Sequence, residues 1–264
     1  MGSVRTRGNL RSRTDAGPDR ERAVVGRGRA WLRREAWARR WDEAGRALVR
    51  WGRPGWGLRL LRRAAALDPG DPRIWLHGAA AAMRAGRPEE AARCYRALCR
   101  LQPGNPRAAA RLAASYDLLG APRAGIAVCR RALADAPHAA CLHRQLGRLL
   151  FHVGAPHSAL RALRRAAELS PSRYDTHYYV GLALRRAGRL AEARQELRQA
   201  LTLKPDDPKL YYALGLCCPA TPGDPEPTRL LLEGLSLELL AQGIDPLAWP
   251  GEPAGAWGSK PSGA

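Results

Sequence analysis

The sequence predicts an all-α fold, an array of stacked helix-turn-helix units, and three observations predict it. Proline stands at 69, 103, 137, 171 and 205, each 34 residues after the last. Seventeen residues before each proline lies a glycine: Gly52, Gly86, Gly120, Gly154 and Gly188. Small residues keep the same phase in two further columns, Gly45, Ala79, Ala113, Gly147 and Gly181, then Gly57, Ala91, Gly125, Ala159 and Ala193. A fixed period of this size marks units that bury their apolar faces on one another. Glycine tolerates positive φ in a tight turn, proline ends a helix, and small residues let two antiparallel helices approach closely.

The elements follow in order. Residues 1–30 are rich in Arg, Gly and Ser with no apolar periodicity, and are expected to form a disordered leader. Trp31, Leu32 and Trp37 then suggest an N-terminal helical cap. Five units are read at 38–71, 72–105, 106–139, 140–173 and 174–207, with apolar residues such as Leu112, Tyr116 and Leu119 at helical spacing. A partial sixth, 208–218, starts with Tyr211, Leu214 and Gly215 and breaks at Pro219, so the repeat domain spans 31–218. The Pro- and Gly-rich tail, 219–264, encloses a Leu-rich helix at 228–242. That helix is expected to cover the open end of the last repeat, the alternative being a partner helix for another protein's groove. Asp245 to Trp249 reads as a linear recognition segment.

These residues resemble the tetratricopeptide repeat, with its W-x-x-L-G-x-x-Y, A-x-x-x-F, P pattern. The first unit offers Trp41, Ala44, Gly45, Leu48, Gly57, Leu61 and Pro69, the second Trp75, Gly78, Ala79, Ala82, Ala91, Tyr95 and Pro103. His143 and His177 stand in the fourth and fifth units where the first two place Trp, which packing explains better than metal ligation. The resemblance covers residues 38 to 218 and implies a right-handed α-solenoid of five repeats, a partial sixth and disordered termini. It also implies that the first helices line a groove for an extended peptide or a partner helix. Mapped onto this chain, those positions include Arg39, Asp42, Arg46, Arg73, Arg107, Asp117, Arg144, Arg148, Phe151, His152, Tyr178 and Arg185. The family's carboxylate clamp is incomplete: Arg144 and Arg148 imitate one pair, but Leu76, Ala80 and Ala114 stand where Lys and Asn are wanted.

The net charge of +20 comes from 41 arginines and only 3 lysines, while the segment from 208 onward is mildly acidic. Two readings of the arginine excess stay open, a GC-rich coding sequence and selection for an acidic partner. Arg62, Arg96, Arg130, Arg164 and Arg198 form a column on the second helices, read as a solvated outer face. Six cysteines follow no disulfide framework, which reads as an intracellular, reduced protein, with a cytoplasmic location expected and nuclear, ciliary or mitochondrial ones open. Asp15, Asp19 and Glu21 weigh against a mitochondrial presequence, while Met1 to Thr6 fits an N-myristoylation pattern.

No phosphate-cradling loop, nucleophile elbow or metal-ligand spacing occurs, and the histidines around Cys141 match no standard zinc site. A non-enzymatic scaffold without cofactor or metal is therefore expected, binding an acidic-apolar peptide or partner helix within a multiprotein complex. The second reading is a nucleic-acid binder using the basic surface, although stacking aromatics do not recur at groove positions. The third is a membrane-anchored regulatory or transport-complex subunit that depends on myristoylation. The acidic tail is further expected to fold back over the arginine-lined groove.

Overall fold

The computed structural model describes the backbone of residues 18–218 and 225–242, with side chains from residue 33 onward. Every regular element among them is a helix. The chain divides into two compact units, Met1–Leu101 and Gln102–Ala264.

The first unit holds α1 (Pro18–Arg50), α2 (Pro54–Leu67), α3 (Pro72–Arg84) and α4 (Pro88–Leu101). Disorder was expected over residues 1–30, but α1 is helical from Pro18. The run from 18 to 50 is dominated by Arg and Ala, both good helix formers, and Pro18 suits a first helical turn. Residues 1–17, with the myristoylation pattern, lie outside the described residues, as does Asp245 to Trp249. In this unit Ala38, Ala64, Ala65 and Ile74 form a buried cluster, with Trp41, Leu67 and Trp75 packed against it.

The second unit holds α5 (Pro106–Leu118), α6 (Pro122–Asp135), α7 (Ala140–His152) and α8 (Pro156–Leu169). It continues with α9 (Tyr174–Arg186), α10 (Leu190–Leu203), α11 (Pro208–Gly215) and α12 (Glu226–Ala241). Its core runs through Leu149, Leu163, Val180, Leu184 and Leu197 to Leu214 and Leu230.

Each hairpin is closed by the same device. The column glycines at 52, 86, 120, 154 and 188 all have φ between +67° and +81°. After α3, Gly86 N–H donates to the Met83 carbonyl and Arg87 N–H to that of Ala82, and the other four turns repeat the pattern. This reciprocal pair caps a helix through a left-handed residue, a conformation that penalises a Cβ. Proline opens α2, α3, α4, α5, α6, α8 and α11 at a position whose N–H has no intrahelical partner. Asp71, Asn105 and Asp207 cap α3, α5 and α11 by accepting backbone N–H groups.

The repeating prolines stand two residues beyond the second helices, and their carbonyls are used. Trp75 Nε1 donates to the Pro69 carbonyl at 2.8 Å. His143 Nε2 lies 2.8 Å from the Pro137 carbonyl and His177 Nε2 lies 2.9 Å from that of Pro171. Histidine thus replaces tryptophan because a ring N–H at the same place reaches the same acceptor. The small columns mark close approach: a Cβ on Gly147 would overlap Leu163, and one on Gly181 would lie 2.6 Å from Leu197 Cγ.

The sixth unit, partial by sequence, is completed by α12. A Cβ on Gly215 would meet Leu231 Cγ at 3.2 Å, as one on Gly181 meets Leu197, each 16 residues on. Gly234 falls one period after Ala200 and is likewise buried. The Leu-rich helix therefore covers the end of the array by pairing with α11, tied by Tyr212 O–H donating to Glu238 at 3.0 Å. The remainder of the tail, residues 219–224 and 243–264, on which the fold-back expectation also rests, lies outside the described residues.

Candidate protein-interaction surface

The first helix of each pair presents the residues expected to line the groove. In the first unit Arg39, Arg46 and Arg73 come together with Asp42, Asp71, Ile74 and His77 around a depression of about 410 Å³. The buried Asp42 carboxylate is shared by His77 Nδ1 at 2.7 Å and Arg46 Nε at 3.1 Å. Arg73 folds back on Asp71. Burial alone would raise the Asp71 carboxyl, but the backbone N–H and guanidinium of Arg73 outweigh it and hold it below the usual carboxylate value.

In the second unit Arg144 and Arg148, one helical turn apart on α7, take different partners. Arg144 Nε pairs with Asp175 of α9 at 3.2 Å, and Asp175 also receives Arg173. Arg148 reaches Asp117 of α5 at 3.5 Å, where His152 Nδ1 lies 2.9 Å from the other carboxylate oxygen. Beside this network stands an aromatic cluster. Tyr179 meets Tyr178 edge-on at 5.3 Å and Phe151 at 6.3 Å, and burial raises both tyrosine hydroxyls. Arg186 lies over the Phe151 ring and donates to its carbonyl at 3.3 Å. Arg185 is half-buried on α9 and Arg107 is exposed in the first turn of α5.

Arg144, Arg148 and Tyr178 thus lie on one continuous surface of α7 and α9. Arg39, Arg46 and Arg73 form a separate cluster in the first unit. Sequence reasoning missed His77 and Tyr179. Asp42 and His77, like Asp117 and His152, are 35 residues apart, one period plus one residue, and that offset is the signal that finds such pairs. Two shielded N–H groups of this face, Gln145 Nε2 and Arg148 Nε, have no acceptor among the described residues.

The outer arginine column does more than face solvent. Arg62 pairs with Glu90, Arg164 with Glu192 at 3.6 Å and Arg198 with Glu226 at 3.0 Å, each 28 residues on. These pairs staple one second helix to the next within each unit. Burial pushes the Cys94 thiol up to about 11 and that of Cys129 up to about 12, so neither is a thiolate at neutral pH. Among the described residues no group of three His, Cys, Asp or Glu is placed to hold a metal, and no helix is long and apolar enough to cross a membrane.

Paired helices repeating at 34 residues define a helical-repeat module. The tetratricopeptide repeat description matches residues 43–106, 78–140 and 144–208. The chain belongs to the tetratricopeptide repeat family, whose members are protein-interaction modules. No curated protein matches the sequence. Among solved structures it is similar to one chain of the APC/C hetero-tetramer Cut9–Hcn1, at 20% identity and a TM-score of 0.65, covering 78% of this chain and 42% of that one. It is also similar to MamA from Desulfovibrio magneticus RS-1, at 20% identity and a TM-score of 0.54, covering 64% and 95%. YrrB, described as a TPR protein with an unusual peptide-binding site, is 18% identical with a TM-score of 0.50, covering 66% and 89%. At these identities the likeness is one of fold.

Proposed function

We propose that the chain is a non-enzymatic adaptor that holds an extended, acidic-apolar segment of a partner protein against α7 and α9. The observation that carries this reading is the juxtaposition of Arg144 and Arg148 with the Phe151–Tyr179 cluster. Guanidinium groups recognise carboxylates through paired N–H donors, and aromatic faces accept apolar side chains beside them. Because Asp117 and Asp175 already engage these arginines, an incoming carboxylate exchanges with an internal one. Recognition by exchange gives specificity more than raw affinity, since the internal pair must be replaced in kind. The peptide-binding site named for YrrB and the multiprotein setting named for Cut9–Hcn1 support a peptide ligand and an assembly role by analogy of fold.

Proximity labelling in the native cell, comparing wild type with Arg144→Glu/Arg148→Glu, tests the reading. Neighbours lost selectively in the variant support recognition on α7 and α9. An unchanged set of neighbours places recognition elsewhere and removes this face from the account.

A further inference from the structure

The turn that joins α1 to α2 carries two exposed indoles. Trp51 is 77% exposed and Trp56 is 57% exposed, although tryptophan is on average a well-buried residue. Gly52, at φ +74°, and Pro54 fix the backbone between them, and Arg53 N–H closes the turn on the Leu48 carbonyl. With Leu48 and Arg53 the two rings line a shallow depression of about 290 Å³. Arg59 lies over the Trp56 ring, 4.7 Å from its centroid.

Along the chain, the segment that carries these rings has charge of one sign. From residue 44 to 67 the chain carries six arginines and no acid. Asp42 holds Arg46, Glu90 holds Arg62, and Arg63 lies over Trp41, which leaves Arg53 lining the depression, Arg59 over Trp56 and Arg50 next to Trp51 in the chain. Glu90, at the start of α4, is itself engaged by Arg62 and Arg87.

We propose that this turn docks the protein on an anionic lipid surface, with Trp51 and Trp56 at the level of the headgroups and the arginines on lipid phosphates. Tryptophan settles at membrane-water boundaries because its ring is apolar and its N–H is polar. Arginines near a negatively charged leaflet are drawn to it, and the attraction falls off within a Debye length. A lipid surface fits better than nucleic acid. Arg59 already covers one face of Trp56, and the two rings share a single tip rather than forming a row of open faces along a basic track. This contact needs no acyl anchor and uses residues of the first unit alone, so it stands or falls independently of recognition on α7 and α9.

The full-length chain is titrated with phosphatidylcholine vesicles, with and without phosphatidylserine, carrying brominated acyl chains that quench nearby indoles. Binding is expected only with phosphatidylserine, with quenched emission and loss at high salt. Trp51→Ser/Trp56→Ser, which removes only exposed rings, is expected to keep its circular dichroism and to bind at least about tenfold more weakly. Arg50→Glu/Arg53→Glu is expected to weaken binding to a similar degree. The proposal is overturned if the wild type ignores anionic vesicles or if the double tryptophan variant binds and is quenched as wild type. It is equally overturned if oligouridylate, rather than lipid, shields the two indoles and displaces the vesicles.

Discussion

His143 and His177 show how a single side chain can be out of pattern and in place. Each occupies a tryptophan position and directs its Nε2 at a proline carbonyl, as Trp75 does with its indole N–H. His177 also has Glu196 2.8 Å from its Nδ1. Replacing His177 with Ala removes both contacts and leaves the exposed carbonyl to water, a loss of about 0.5–1.5 kcal/mol per hydrogen bond in denaturant unfolding, whereas His177→Trp retains the proline contact and loses less. The glycines make a second contrast. Gly147→Ala drives a Cβ into Leu163 and is expected to cost about 1–3 kcal/mol, while at Gly78 the nearest neighbour is Cys94 sulfur at 3.4 Å. Gly78→Ala is therefore expected to be neutral or to stabilise by up to about 1 kcal/mol through helix propensity. Equal melting temperatures for the two alanine variants would contradict the close packing at Gly147. At this scale the columns of glycine and proline were legible in the sequence. The carbonyl contacts were not, because a histidine in a tryptophan column carries no visible mark of its acceptor.

At the scale of elements, hairpins with a glycine turn and a proline stop were readable, and the ends were harder. The N-terminal run lacks a clear apolar face, so periodicity is silent about α1 even though its composition favours helix. The glycine and proline columns fail after Gly215, so α12 looks like an appended tail rather than a second helix. What identifies it is the recurrence of Leu231 and Gly234 one period after Leu197 and Ala200. Deleting residues 219–264 removes Leu230 from the cluster it shares with Ala213, Leu214 and Cys217 and uncovers that end of it. The expected outcome is a lower melting temperature, with about 1.5–3 kcal/mol lost for each well-buried apolar side chain re-exposed. An unchanged melting temperature would show that α12 is not part of the stack. The staples between second helices carry their own pH signature. Burial by itself would raise the Glu90 carboxyl, but Arg62 and Arg87 outweigh it and lower it. Its contribution is therefore complete above the ordinary glutamate value and disappears as pH falls through the lower folded value. Glu90→Gln is expected to be less stable than wild type at neutral pH and to converge with it in acid, as thermal melts across that range will show.

For the whole molecule, a charge of +20 suggests free arginines, yet the face of α7 and α9 is charge-paired from within. Composition counts charges but cannot report partners brought together across one repeat period. The periodicity does hold that information at offsets of 28, 31 and 35 residues, once the helix pairing is known. Internal pairing changes the ligand test from presence of charge to exchange of partners. Asp175→Asn leaves Arg144 without its neighbour on α9 while preserving the side-chain shape, and so separates recognition from folding. The deciding measurement is calorimetric titration of an acidic-apolar peptide, selected from a displayed library on the wild type, into wild type, Asp175→Asn and Arg144→Glu/Arg148→Glu. Recognition on this face predicts tighter binding to Asp175→Asn and binding at least about tenfold weaker to the double arginine variant. Equal affinities for all three, with each protein folded, would contradict it.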